Sequence, residues 1–471
     1  MRIHFIGIGG IGVSALARHY LSQNHQVTGS DLEPSEITQA LQKLGARVHI
    51  GKHKSANLWK RFDLKNFPRS NLDLVVYSPA ITSDNPELKK ARKQGVRCQS
   101  YPQALGELTK NHFTIAVCGT HGKGTTTAMI SLILIKAGLD PSVIIGTKLK
   151  EFGDSNYRPG KSPYLVIEAD EYQSSFLNYR PQIIVLTTID EDHLDYFKNL
   201  ANIVKTFQRF IDRLPQKGIL VVNRLDKNSQ GLKSSPQVKY YSLKQKEARL
   251  LKRRLKLPGD HILADALGAL TLARSLKIPD EVSFRALSEY KGAWRRFQIQ
   301  KLKIKNQKFT IINDYAHHPT EVEVTLKAAR QKYPNKKIWC VFQPHQYQRT
   351  YYLFDDFARV LSQAPVDKLI LTDIYSVAGR ESQSIKKKVS SKKLVRAIVK
   401  NLKIPLRGFP KKYGNCKLKI KTVFYIPTLK KTANYLKQNL RSKEVLVVMG
   451  AGDIYQLPLL LTSPKRKGKM N

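Results

Sequence analysis

The segment CGTHGKGTTT at 118–127 concentrates residue types that handle phosphate. Its glycines, Gly119, Gly122 and Gly124, let backbone N–H groups approach phosphate oxygens, and a helix starting there adds partial positive charge. Lys123 can then sit on the β- and γ-phosphates, while Thr125, Thr126 and Thr127 offer hydroxyls to a Mg²⁺ shell. The generic phosphate-loop pattern requires a glycine at 117, where this chain has Val117, so the loop is of a different subclass. The chemistry indicated is binding of a nucleoside triphosphate.

Such a loop works only between a buried strand and a helix, and the flanking sequence supplies both. TIAVC precedes it, and TTAMISLILIKAG follows at helical spacing with a terminating glycine. A second strand–glycine–helix unit, RIHFIGIGGIGVSALARHYL, opens the chain. YLVIEA, PQIIVLTT, FTIINDYA, KIWCVFQPH, KLILTDIY and EVLVVMGAG read as further strands, some of them nearly unbroken apolar runs as in a parallel sheet covered on both faces. Helical patterns such as PTEVEVTLKAARQK separate the later ones. A chain of 471 residues also needs more than one core. The expected class is α/β in three domains: a Rossmann-like domain at 1–110, a central phosphate-loop ATPase domain with a parallel sheet at 111–293, and a Rossmann-like domain at 294–471. Residues 227–257 read as a surface excursion or short edge strands. The lysine-rich stretch 382–393 and the tail 464–471 read as solvated loop and terminus.

These strands deliver other polar residues to their carboxyl ends. Glu168 ends YLVIE and His193 follows IIVLTTID, which are positions for metal ligands beside a ligand crevice. GIGGIG at 7–12 sits between a strand and a helix, so Gly9, Gly10 and Gly12 can present N–H groups to a diphosphate. Taken alone, that turn also suits a dinucleotide, with Asp31 spaced for a ribose hydroxyl, as in a dehydrogenase. Arg349, after KIWCVF, suits a carboxylate.

Composition narrows the setting. Gly 27 and Pro 22 exclude collagen-like and low-complexity chains. Cys98, Cys118, Cys340 and Cys416 form no CxxC pair, which suits a reducing cytoplasm. The longest apolar stretches fall short of the roughly 20 residues that a spanning helix needs. Lys+Arg 81 against Asp+Glu 36 gives +45, which favours anionic partners without choosing among nucleic acid, acidic membranes and phosphorylated small molecules. Lysine bias spread over solvated faces accounts for most of that excess.

Eight blocks stand in one order along the chain: FIGIGGIGVSALA, YSPAI at 77–81, GTHGK with TTTAM, EADE at 168–171, DEDHLDYF at 190–197, RRF at 295–297, DYAHHPTEV at 314–322 and FQPH at 342–345. Together they resemble the Mur ligase family over nearly the whole length. The resemblance implies an ATP-dependent, ADP-forming ligation in peptidoglycan precursor synthesis. The lactyl carboxylate of UDP-N-acetylmuramate would become an acyl phosphate, and the amine of L-alanine would then displace phosphate as the domains close and exclude water.

The same resemblance distributes the residues. The sugar nucleotide falls to Gly9, Gly10, Ile11, Gly12, Asp31 and Ser78. ATP falls to Gly119, Thr120, His121, Gly122, Lys123, Gly124, Thr125, Thr126 and His261, joined by Arg296 of the Arg295–Arg296 pair and by Asp314. The amino acid falls to His317, His345 and Arg349, and Mg²⁺ to Thr125, Glu168 and His193. Direct parts in the reaction go to Lys123, His193, Arg296, His345 and Arg349. The chain departs from the family pattern at three places. Gly124 stands where Thr or Ser is usual, so Thr125 takes the metal hydroxyl, as in folylpolyglutamate synthetases. Ile262 and Asp265 replace the asparagines of the adenine motif, and Gln346 replaces a common second arginine. A related ligase that adds a recycled peptide or another amino acid would differ only in third-domain residues. A nucleic-acid-binding protein on an inactive ligase scaffold is the alternative of another class, although neither a nucleic-acid nor a membrane partner is expected. The oligomeric state is left open.

Overall fold

The computed structural model describes residues 1–58, 72–233, 237–304, 307–377, 381, 383–402 and 422–462, and within them three α/β sheets follow one another along the chain. β1 (Arg2–Ile6), β2 (Gln26–Asp31), β3 (Arg47–Ile50), β4 (Leu74–Tyr77) and β5 (Cys98–Ser100) form a parallel sheet in the order 3-2-1-4-5. β6 (Phe113–Cys118), β7 (Ser142–Leu149), β8 (Ser155–Arg158), β9 (Tyr164–Glu168), β10 (Ile183–Leu186), β11 (Ile219–Asn223) and β12 (Gln237–Tyr241) follow in the order 12-11-10-6-9-7-8, with only β8 antiparallel. β13 (Gln298–Ile304), β14 (Gln307–Asp314), β15 (Ile338–Phe342), β16 (Lys368–Leu371), β17 (Thr422–Tyr425) and β18 (Val445–Met449) lie in the order 13-14-18-15-16-17, with only β13 antiparallel.

The expected three-domain α/β architecture is what forms. Every residue of β10, β15 and β18 is buried, as central parallel strands require when helices cover both faces. The strand order matters for function because crevices open at the carboxyl ends where connections leave in opposite directions. In the first sheet that point lies between β1 and β4, in the second around β6, and in the third around β18. By compactness the chain divides into one unit of residues 1–190, 199–255 and 264–293 and another of 191–198, 256–263 and 294–471.

Two loop expectations give way to helices. Within 227–257, β12 is the expected edge strand, but Glu247–Arg254 is helical with Ala248 and Leu251 buried. The lysine-rich stretch forms helices Gln383–Lys388 and Ser391–Leu402, the second anchored by Leu394 and Ile398, one turn apart and fully buried. Its first residue, 382, lies outside the described residues, as do Cys416 and the tail 464–471. No helix among the described residues is long and apolar enough to cross a membrane.

Buried polar groups knit the first sheet. Glu87, wholly inaccessible, meets His4 at 2.9 Å, His53 at 2.8 Å, Ser30 at 2.7 Å and Asn57 at 3.0 Å. Burial opposes its charge, but these partners, His4 first, hold its carboxyl well below the usual range. His19 lies against Tyr157, with Nδ1 at 3.2 Å from the phenol oxygen, and burial with two nearby histidines pushes it down to about 4. A depressed imidazole keeps its proton off in the fold while the unfolded chain takes one up below pH 6.5. His19 therefore contributes stability that is fully present above that pH and is lost as pH falls to about 4. Urea unfolding between pH 7 and 4.5 should show a dependence that His19→Asn flattens by up to about 1.4 kcal/mol per pH unit. Parallel profiles for the two proteins would refute this assignment.

Candidate active site

In the first unit, β6 runs into residues 119–122 and then the helix Lys123–Lys136. Gly119 (φ +131°) and Gly122 (φ +83°) have backbone conformations that side chains resist. A Cβ on Gly119 would overlap Thr187 Oγ1 and lie 2.9 Å from the backbone N and O of Thr188, and one on Gly122 would overlap Asp265 Oδ1. The amide of Thr120 donates to Thr188 O at 2.7 Å, and His121 Nε2 meets Asp190 at 3.0 Å. The loop is thus pinned to the segment after β10.

Lys123 points back into this loop. Its Nζ donates to Gly119 O at 2.7 Å, Thr120 O at 3.3 Å and Glu171 Oε2 at 2.8 Å. The lysine side chain is 14% exposed and that of Glu171 only 3%, so the pair is screened from water. Burial works against the ammonium, but Glu171 and Asp170 outweigh it and raise the Lys123 pKa. Burial also pushes Glu171 up to about 7, against the pull of Lys123.

The three hydroxyls of this turn divide. Thr126 donates to Asp265 at 3.0 Å and Thr127 to Lys123 O at 2.8 Å, which leaves Thr125 as the hydroxyl taken neither by Asp265 nor by the helix backbone. Glu168, at the end of β9, accepts the Gly146 amide at 2.8 Å. A Cβ on Gly124 would lie 3.2 Å from this carboxylate, and one on Gly146 2.9 Å. The two glycines form a cradle that holds a hard oxygen donor beside the phosphate loop, which fits Mg²⁺.

At the first sheet, the structure redistributes the expected sugar-nucleotide residues. The Gly9 amide is taken by Asp31 Oδ2 at 2.7 Å, and Asp31 Oδ1 accepts the Leu32 amide at 2.8 Å. Asp31 therefore braces the turn, and the Gly10 amide closes it on Gly7 O at 3.2 Å. Gly12 packs against Tyr101, Ile11 O accepts from Asn156, and Ser78 donates its amide to Ile6 O at 2.9 Å.

In the second unit, the arginine pair separates. Arg295, 5% exposed, donates to Gly450 O and Gly452 O and lies over the rings of Trp294, Tyr315 and Tyr455. It is a structural residue. Arg296 is half-buried, with its guanidinium 4.9 Å from the Tyr315 ring centre. Asp314 accepts the amides of Phe297 at 2.6 Å and Ala316 at 2.8 Å, so both its oxygens staple backbone, and burial raises its pKa. His317 contacts Tyr315 O at 3.0 Å and Glu321 at 3.1 Å, and packs edge-on to His345, which stacks on Tyr375. Burial and the neighbouring His317 and Arg349 keep His345 neutral. His318 caps the helix Pro319–Lys332 and reaches Glu191 O at 2.8 Å. His261 Nδ1 is buried with no partner among the described residues, and burial lowers this imidazole to about 4.

The carboxylate of an incoming amino acid is the expected partner of Arg349, but the partner in the fold is Asp192, with Nε to Oδ1 at 2.9 Å and Nη2 to Oδ2 at 3.3 Å. Burial alone would raise Asp192, but Arg349, followed by His193 and His318, holds it well below the carboxylate range. His193, the third expected metal ligand, follows directly in this unit, whereas Thr125 and Glu168 belong to the other.

Profiles described as the Mur ligase family catalytic domain, middle domain and glutamate ligase domain match residues 2–113, 117–263 and 295–452. The chain is 38% identical to the UDP-N-acetylmuramate–L-alanine ligase of Clostridium acetobutylicum, over 97% of this chain and 96% of that protein. This chain belongs to the Mur ligase family. The crystal structure of UDP-N-acetylmuramate-alanine ligase from Thermotoga maritima is similar at TM-score 0.75 and 27% identity, covering 98% of each chain. A murein peptide ligase from Psychrobacter arcticus shares the fold at TM-score 0.65 and 21% identity, again over 98% of each.

Within this Mur ligase, two departures from the family pattern acquire physical reasons. Gly124 gives the Glu168 carboxylate room, and Asp265, from the helix Asp260–Ser275, accepts the Thr126 hydroxyl in the space that a side chain at Gly122 would fill. Sequence reasoning missed Glu171, Asp192 and Asn156 as contributors. Glu171 and Asp192 stand inside two of the family blocks, EADE and DEDHLDYF, while nothing local marks Asn156.

Proposed function

We propose that this ligase joins L-alanine to the lactyl carboxylate of UDP-N-acetylmuramate with conversion of ATP to ADP and phosphate. The observation that carries the reading is the Lys123 loop, a buried ammonium at a helix N-terminus next to the Glu168 cradle. Full-length similarity to proteins named for this reaction supports it. We assign the sugar nucleotide to 1–110, ATP chiefly to 111–293 and the amino acid to 294–471, and we place the reaction in the cytoplasm.

Lys123 exchanges its loop carbonyls and Glu171 for triphosphate oxygens and stabilises the charge that develops as the γ-phosphoryl group moves to the muramyl carboxylate. Amides of the turn at 119–124 hold the phosphate chain. Arg296, with its guanidinium against the Tyr315 ring, adds a second cation. His261 Nδ1 offers a buried acceptor for an adenine amino group. Thr125, Glu168 and His193 would hold Mg²⁺, which when bound supplies Lewis-acid polarisation of phosphate oxygens. His317 and His345 line the amino-acid end, where the neutral amine displaces phosphate from the acyl phosphate.

The test is direct. Purified protein with UDP-N-acetylmuramate, ATP and Mg²⁺ should release ADP only when L-alanine is added, with a product heavier by one alanyl residue. Faster turnover with a tripeptide would assign it to peptide recycling. Duplex DNA binding that survives physiological salt, with no ADP release, would overturn the enzyme reading.

A further inference from the structure

The Asp192–Arg349 contact joins two turns with unusual backbones. His193 (φ +52°) and Gln346 (φ +68°) are both non-glycine residues in the left-handed region, and each precedes a short helix, Leu194–Phe197 and Tyr347–Tyr352. Such conformations persist only where surrounding contacts over-determine them. Asp192 provides that determination on one side, because Oδ1 also accepts the backbone amide of His193 at 2.7 Å. On the other side, Arg349 Nη1 lies 3.3 Å from His345 Nδ1 and 3.4 Å from Gln346 Oε1. The Nε–Nη2 edge, the one suited to a bidentate carboxylate, is already filled by Asp192. Arg349 is 7% exposed and Asp192 8%, so separating them would strand two charges away from water.

We propose that the Asp192–Arg349 ion pair is the positioning device for His193, and that Arg349 serves the reaction through this pair and not as the receptor for the amino-acid carboxylate. The inference rests on the proposed metal role of His193. A residue that fixes the backbone of a metal ligand changes metal affinity when removed, typically by ten- to a hundredfold, without touching the amino acid.

Asp192→Asn, Arg349→Gln and the double variant separate the two roles. Mn²⁺ affinity in the presence of a non-hydrolysable ATP analogue is read by paramagnetic resonance, and KM for L-alanine is measured in parallel. Each single variant should weaken Mn²⁺ binding by about tenfold or more, the double variant no more than the weaker single, and KM for alanine should stay within about twofold. Unchanged Mn²⁺ affinity in either variant would overturn the proposal. So would an Arg349→Gln protein whose KM for alanine rises tenfold while Asp192→Asn leaves it alone. If Arg349→Gln does not fold, Arg349→Lys replaces it: an ammonium meets one carboxylate oxygen where the guanidinium met two, so the metal should still bind more weakly, and wild-type affinity would overturn the proposal. Metal binding needs no ligation, so a wild-type protein that binds Mn²⁺ and nucleotide yet joins no alanine would sink the functional reading, while the variants' Mn²⁺ affinities would still decide the role of the pair.

Discussion

Lys123→Ala should lower the rate of alanine-dependent ADP release by roughly a hundredfold or more, on the order of 3 kcal/mol of transition-state stabilisation. The ammonium is buried and held by two loop carbonyls and a carboxylate, so its charge acts in a poorly screened environment. Nucleotide affinity should fall as well, since the same group meets the triphosphate in the ground state.

A second, pH-dependent consequence separates this variant from a generic core lesion. Without Lys123, Glu171 stays buried beside Asp170 and loses the partner that restrains its pKa, which already stands at about 7. A carboxyl whose pKa is raised in the fold retains its proton where the unfolded chain has released it. Its contribution to stability is therefore most favourable below about pH 4.5 and declines as pH rises through 7. Denaturation of Lys123→Ala should show stability falling between pH 6 and 8.5 more steeply than in wild type, and Lys123→Ala/Glu171→Gln should remove the difference. ADP release at a near wild-type rate in Lys123→Ala would refute the loop's assigned part.

The loop was legible in the sequence because its information is local: a strand of apolar residues, glycines where positive φ is needed, and a lysine at the first helical position. The partners that make it work are not local. Asp265 reaches Thr126 across 139 residues and Asp192 reaches Arg349 across 157, and neither has a spacing rule that a linear reading can apply. Arg295 and Arg296 are equal as letters. Only the three aromatic rings and two carbonyls around Arg295 decide which of the two is scaffold. The same limit governs the fold. β10 and β15 announce themselves as unbroken apolar runs, while β5 (CQS) is three residues long and is a strand only because it pairs with β4. Lysines hid the helix Ser391–Leu402, since the burial of Leu394 and Ile398 depends on the helix Phe354–Ser362 and the strand β17 against which it packs.

Gly119→Ala should be nearly as damaging as loss of the lysine, for steric reasons. At φ +131° an alanine is strained, by about 1–3 kcal/mol. The added methyl has no room, because it meets Thr187 Oγ1 and the backbone of Thr188, not the free end of a flexible side chain. Thr187 cannot yield easily, since its one hydroxyl proton lies between His121 O at 2.5 Å and Cys118 O at 3.1 Å, tying the segment after β10 to the loop. Overpacking of this kind costs a further 1–3 kcal/mol or so. The sum is a large share of a domain's typical stability of about 5–15 kcal/mol, and relief by loop movement would displace the amides meant for phosphate. Gly138→Ala is the matched control: its φ is +76°, but a Cβ there meets nothing within 4 Å. It should lose only about 1 kcal/mol of stability and bind nucleotide normally. Calorimetric titration with a non-hydrolysable ATP analogue, alongside urea unfolding, distinguishes the two. Equal nucleotide affinity in Gly119→Ala and Gly138→Ala would mean that the turn at 119 does not shape the phosphate site.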